Sequence, residues 1–258
     1  MSLVLSERRG SVALLTLNNP EQYNAMRAGL LDALSSALDA ALADELVRAI
    51  LLTGSGKGFC SGAALGSDTF GSDGKVAKAL RRDLNPLIAK MRNATKPIVV
   101  AVNGPAAGAG VGLALAGDVV VAARSAKFIL SFVRLGAALD AGTSVFLQRS
   151  IGAPRARALA LLGEPLAAEM AERWGLIWKT VDDVVLQEHA YSIAQKLADG
   201  PPVGIGLIKA QIEAAWAKPL HATLESEAET QGRAFSTADL REGALAFVEK
   251  RPARFKGT

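Results

Sequence analysis

The sequence predicts an α/β protein whose C-terminal third is helical throughout. Three observations carry that expectation. Short apolar runs that stop at glycine or asparagine recur through the first half, as buried strands do. Leucines at helical spacing lie between them. From Pro201 onward the apolar period stays helical to the end, through "GIGLIKAQIEAAW" and "LREGALAFVEKR".

Taken in order, "SVALLTLNN" (11–19) reads as a strand that ends in an Asn/Pro turn. The stretch from about Arg27 to Asp44 places Leu30, Leu31, Leu34, Leu38 and Leu42 on one helical face. "VRAILLTG" (47–54) is a buried strand stopped by glycine, and "KPIVVAVNG" (96–104) is another. The Gly/Ser/Asp-rich segment 54–75 between them reads as a functional loop with a mobile second half. "DVVVAARSAKFIL" (118–130) gives two short strands around a turn. After Asp140 the pattern is mostly helical, broken once by the strand-like "GLIWKTVDD" (175–183). The alternation has no clean period, which excludes a solenoid of identical units.

Half of the 258 residues are hydrophobic and 21% are charged, enough for a large core and inconsistent with wholesale disorder. The net charge of +4 suits an anionic ligand, but scattered Lys and Arg with 5% aromatics argue against nucleic acid as a partner. A single cysteine, Cys60, allows no internal disulfide and fits a reducing compartment. The N-terminus lacks a signal layout, and no eighteen-residue window is free of charges and turn breakers. A soluble cytoplasmic protein with no membrane contact is expected.

Glycine is concentrated in "NGPAAGAGVGLALAGD" (103–118), inside a stretch that otherwise reads as a buried helix. Each glycine there costs about 1 kcal/mol relative to alanine, so the cluster needs a reason. Two phosphate-cradle templates fail. Gly108, Gly110 and Gly112 have the wrong spacing for a dinucleotide fold, and no carboxylate follows at the required place. "GSGKGF" (54–59) is not a P-loop, because Lys57 is followed by glycine. Close packing and presented amides remain. Each Gly-rich turn follows a predicted buried strand; if those strands are neighbours, both turns open at one sheet edge. Their unpaired N–H groups could then converge on an oxygen that becomes negative.

"KGFCSGAAL", "KPIVVAVNGPAAGAGVGLALAGDVVVAARSAKF" and "LREGALAFVEKRPARFKG" together resemble the enoyl-CoA hydratase/isomerase (crotonase) superfamily, from the "NNPEQYNAM" turn (18–26) to the C-terminus. The resemblance implies a spiral of ββα units over residues 1–199 that holds an acyl-CoA site. It implies a helical region, 200–258, for oligomerisation and part of the CoA site. Further implications are acyl-CoA thioester substrates, a homotrimer or dimer of trimers, and no metal or cofactor beyond the coenzyme A of the substrate. By motif match, the amides of Ser61 and Ala109 form the oxyanion hole, with Gly110 beside it. The amides of Ala63 and Leu65 border the adenine, and Lys57 reaches a CoA phosphate or stays a solvated loop lysine. Phe247 and Lys250 serve the CoA of a neighbouring subunit.

Hydratases of the superfamily use two glutamates, which align here with Gly112 and Phe132. Neither can transfer a proton, so hydration by the usual route is not expected. One acid stands in the right region. Asp140, in "LGAALDAGTS", matches the aspartate of the phenylacetate-pathway isomerase branch, which rearranges ring-epoxidised phenylacetyl-CoA and shifts enoyl-CoA double bonds; Leu139 stands where that branch usually has proline. The run 156–183 adds to this match. A double-bond shift needs only one base, and an apolar cleft lined by Phe132, Leu130 and Leu139 would raise its pKa. The competing reading makes Asp140 a helix N-cap, worth about 1 kcal/mol.

An acyl-CoA isomerase is therefore expected, with a one-carboxylate hydratase and a silent acyl-CoA binder as alternatives. Cys60 reads as a packing residue, since His189 and His221 fall in distant polar helices. Asp118 reads as structural. "DTFGSDG" (68–74) lacks the acidic ladder of a calcium loop, and no cluster has metal spacing.

Overall fold

The computed structural model describes residues 2–27, 29–64 and 74–258. Leu65 and residues 68–73 of "DTFGSDG" therefore lie outside the described residues. The chain opens with an antiparallel pair, β1 (Val4–Arg9) and β2 (Val12–Leu17), followed by α1 (Leu30–Ala43) and β3 (Ala49–Gly54). A helical stretch with α2 (Lys75–Ala79) and α3 (Asn85–Asn93) leads to β4 (Ile98–Val102). Then come β5 (Ala106–Ala107), α4 (Ala109–Leu115), β6 (Val119–Ala123) and β7 (Lys127–Ile129). The next elements are α5 (Thr143–Leu162), β8 (Pro165–Ala167), α6 (Ala168–Trp174), β9 (Lys179–Val181) and α7 (Leu186–Ala198). The last three helices are α8 (Pro202–Ala215), α9 (Leu220–Phe235) and α10 (Ala238–Glu249).

The main sheet has six strands in the order β1-β2-β3-β4-β6-β9, parallel except for the first pair. Every residue of β3 and β4 is buried, which is why both read as unbroken apolar runs rather than as alternating ones. On α1, Leu30, Leu34 and Leu38 are buried as their spacing predicts, and the helix packs on β1 and β2. A second sheet, β5-β7-β8, is small.

β3 and β4 are direct neighbours, with Thr53 opposite Ala101. Their C-terminal ends therefore lie side by side, and the two Gly-rich turns leave the same edge of the sheet. That adjacency positions the site.

The helical C-terminal third is tied to the strand core through α8. Lys209 Nζ is 2.7 Å from Asp118 Oδ2 and donates to Met91 O. Asp118 also accepts from the Ile98 N–H at 2.7 Å, so its structural reading holds. Arg92 pairs with Glu213 at 2.5 Å. α10 packs on α9, and Phe235, Leu220, Phe247 and Val248 remain largely exposed in the single chain. No helix among the described residues is long and apolar enough to cross a membrane.

Candidate active site

Two asparagines build the first turn. Asn24 is fully buried and adopts a left-handed conformation, φ 55°. Its side-chain amide faces the carbonyls of Ser55, Gly58 and Phe59 at 2.9–3.1 Å, while its Oδ1 accepts from Asn19 N–H. Asn103, just past β4, accepts from Gly54 N–H and donates to Gly56 and Gly58 carbonyls. These bonds satisfy turn carbonyls that a buried loop could not leave unpaired. The turns are then laced together directly, with Phe59 N–H donating to Pro105 O and Ala107 N–H to Cys60 O.

Glycine permits that lacing. A β-carbon on Gly110 would run into the Cys60 carbonyl oxygen. Gly110 is buried, and this contact joins the two turns right beside Ala109. Gly62 has φ +82°, and a β-carbon there would lie 2.6 Å from Ala107 O and 3.2 Å from Ala109 N. The chain at Gly62 thus passes beside the first amide of α4.

The amide assignment needs one correction. Ser61 N–H donates to Tyr23 O at 2.9 Å, so it is not a free donor for an oxyanion. The next amide beyond Gly62 belongs to Ala63, which is exposed. Among the described residues neither Ala63 N–H nor Ala109 N–H donates to a protein acceptor. Ala109 is the first residue of α4, where an unpaired amide and the positive end of the helix coincide. Ala63 and Ala109, not Ser61, are thus the amides left without a protein acceptor at these two turns. Sequence reasoning had set Ala63 beside the adenine, because motif alignment alone does not reveal which amide the chain satisfies internally.

Asp140 lies in the turn before α5, and that turn packs on α4. A β-carbon on Gly112, one helical turn beyond Ala109, would fall 2.5 Å from the Ala141 Cβ. The turn that carries Asp140 thus rests on the first turn of α4. Thr143, fully buried, donates from its N–H and its hydroxyl to Asp140 O at 3.0 and 2.8 Å. The carboxylate does not cap α5. The residue at the cap position is Gly142, with no side-chain cap bond, and Asp140 Oδ1 is buried without a hydrogen-bond partner among the described residues. Burial alone pushes its pKa up from 3.8 to about 6. Phe132 is buried with its ring 3.9 Å from where a β-carbon on Gly108 would lie, beside Ala109. Leu130 is buried and Leu139 partly so.

A half-buried, unpartnered acid, an open amide at the start of α4 and another in the adjoining turn are groups that can hold an ester oxygen and move a proton. A family model for enoyl-CoA hydratase/isomerase matches residues 7–258. The chain belongs to the enoyl-CoA hydratase/isomerase family. Among the relatives of this family member is 1,2-epoxyphenylacetyl-CoA isomerase of Escherichia coli K12, 42% identical over 260 residues, covering 100% of this chain and 99% of the relative. A probable enoyl-CoA hydratase of Rhodobacter capsulatus is 44% identical over 246 residues, 95% of each chain. Solved structures agree on the crotonase-like α/β fold expected from the sequence. A putative enoyl-CoA hydratase/isomerase from Mycobacterium abscessus superposes with a TM-score of 0.92 at 35% identity, covering 99% of this chain and 100% of that one. An enoyl-CoA hydratase from Bacillus anthracis gives 0.94 at 31% identity, covering 99% and 100%.

The other sequence candidates lie on the first turn and on α10. Lys57 is an exposed residue of the first turn, and its carbonyl abuts Gly104. Phe247 is 85% exposed on α10, and Lys250 ends that helix in a left-handed conformation. Cys60 is buried, and burial raises its thiol pKa to about 11, which leaves it inert as a nucleophile. His189 is partly buried on α7, and His221 is exposed at the start of α9. Asn24, Asn103 and Thr143 were missed by sequence reasoning. The signal for Asn24 was present in "NNPEQYNAM", read there only as a turn.

Proposed function

We propose that this family member is an acyl-CoA isomerase in which Asp140 is the single acid–base group and the Ala63 and Ala109 amides hold the thioester oxygen. The observation that carries the reading is the Asp140 carboxylate, buried on one oxygen, unpartnered, and raised to about 6 by desolvation. A structural acid would have found a partner.

For a 3-enoyl thioester, Asp140 takes a proton from C2, and the electron pair moves onto the thioester oxygen between the two amides. The enolate then collapses as C4 takes the proton back from Asp140. The double bond moves from C3–C4 to C2–C3, with no net gain or loss of atoms. For a ring-epoxidised phenylacetyl thioester, the same donors hold the carbonyl while the epoxide opens and rearranges. The E. coli relative's name supports that second substrate. The Rhodobacter relative is called a probable hydratase, but Gly112 and Phe132 leave this chain without the acid pair that hydration uses in the resemblance above. No cofactor enters the scheme; coenzyme A arrives as part of the substrate.

Assembly as a trimer or dimer of trimers belongs to the same proposal, and would cover the apolar residues exposed on α9 and α10. Turnover of a 3-enoyl-CoA and of an epoxyphenylacetyl-CoA, beside hydration of crotonyl-CoA, tests the reading. Isomerisation of at least one of the first two substrates, abolished by Asp140→Asn, is expected. Hydration as the dominant activity, or tight CoA-ester binding with no turnover, would reject it.

A further inference from the structure

We propose that the bare Cα of Gly112 is the seat on which the Asp140 turn docks, making Gly112 a positioning residue that also commits the site to one-acid chemistry. This rests on the reading of Asp140 as the acid–base group. Three observations locate the seat. A β-carbon on Gly112 would meet the Ala141 carbonyl oxygen and come within 2.5 Å of the Ala141 Cβ. Ala141 is buried and held at φ +49°, a conformation unfavourable for alanine, and Gly142 follows at φ +75°. On the far side, Thr143 fastens the Asp140 carbonyl with two hydrogen bonds. The turn is thus clamped between α4 and α5, with Asp140 Oδ1 buried and unpartnered among the described residues.

Two consequences follow from the packing. The clamp sets how far the Asp140 oxygens stand from Ala109, which lies one helical turn before Gly112 on the same face of α4. It also fills the space that any side chain at position 112 needs. A second acid cannot be added there while Asp140 stays in place, so the two arrangements exclude each other sterically. Ala141 contributes directly, because its β-carbon and its carbonyl occupy that space.

Gly112→Ala tests the seat, since one methyl group must lift the turn. On a 3-enoyl-CoA, kcat is expected to fall on the order of 10–100-fold with KM nearly unchanged, as misplacement of a reacting group by about 1 Å does. The acidic limb of the pH–rate profile is expected to move below about 6, because a lifted carboxylate regains water; among the described residues no charged group adds to burial in setting that pKa. Adding Ala141→Gly to Gly112→Ala, which removes the facing methyl, is expected to restore part of kcat. Ala141→Gly alone relieves the unfavourable φ and is expected to melt higher while losing kcat severalfold, so it remains informative even if Gly112→Ala fails to fold. Gly112→Glu is expected to lose isomerisation without gaining hydration of crotonyl-CoA. The inference is overturned by a folded Gly112→Ala with wild-type kcat and pH profile. Ala141→Gly with undiminished kcat, or Gly112→Glu that hydrates while still isomerising, would overturn it equally. Asp140→Asn separates the two claims: full activity there sinks the catalytic reading itself, whereas an inactive Asp140→Asn beside an unaffected Gly112→Ala sinks only the seat.

Discussion

Replacing Asp140 by asparagine should make the protein more stable, and only above acidic pH. Asp140 carries a carboxylate whose pKa lies near 6 in the folded chain against an ordinary 3.8, with burial as the cause. A raised folded-state value means that the native chain holds this proton more tightly than the unfolded chain does. The resulting stability is complete below about pH 3.8 and is lost as pH rises through about 6. At neutral pH the charged, unpartnered carboxylate is a liability. The interval between the two values corresponds to about 3 kcal/mol, an upper bound for a group that is only half-buried. Asparagine never ionises, so the advantage of Asp140→Asn over the wild type should grow by about 1–2 kcal/mol between about pH 4.5 and pH 7.5. Urea unfolding followed by circular dichroism at both pH values measures the difference. In thermal melts it corresponds to a shift of several degrees for a chain of this size. An advantage independent of pH, or a variant less stable at neutral pH, would show that Asp140 is partnered in solution and that its isolation has been misread.

Other substitutions probe the remaining parts. Ala109→Pro removes one N–H at the first position of α4, where proline is otherwise well tolerated, and should lower kcat on the order of 10²–10³-fold with little effect on folding. Steady-state kinetics with a 3-enoyl-CoA checks this, and a merely twofold loss would remove that amide from the site. Lys209→Met strands Asp118 beneath α8 and should destabilise the chain by about 2–4 kcal/mol in denaturant titration. Sedimentation should find three or six copies, and paired Asp or Glu substitutions at Phe235 and Leu220 should release monomers; a wild type that sediments as a monomer would contradict the assembly.

Apolar periodicity made β2, α1, β3, β4, β6, β7 and the last helices legible, because burial on one or both faces writes itself into the side chains. β1 was not legible. "VLSERR" buries only Val4, and a charged edge strand carries no apolar signal. β8 spans only Pro165–Ala167 and is paired solely by β7, too short for a pattern. At the site, Asp140 was legible as an acid in the right turn, but not its lack of a cap bond, which depends on the left-handed pair Ala141–Gly142. The choice between Ser61 and Ala63 was hidden for a similar reason. It turns on a hydrogen bond from Ser61 to Tyr23, made across the chain by the Asn24 turn.

The central claim is that one acid carries a single proton from one carbon to another beside a held thioester. Following deuterium placed at C2 of a 3-enoyl-CoA tests it most directly. With Asp140 Oδ1 shut away from solvent, part of the label should reappear at C4 of the product, and Asp140→Asn should abolish both turnover and transfer. A product with no label at C4, formed equally fast by Asp140→Asn, would contradict the account.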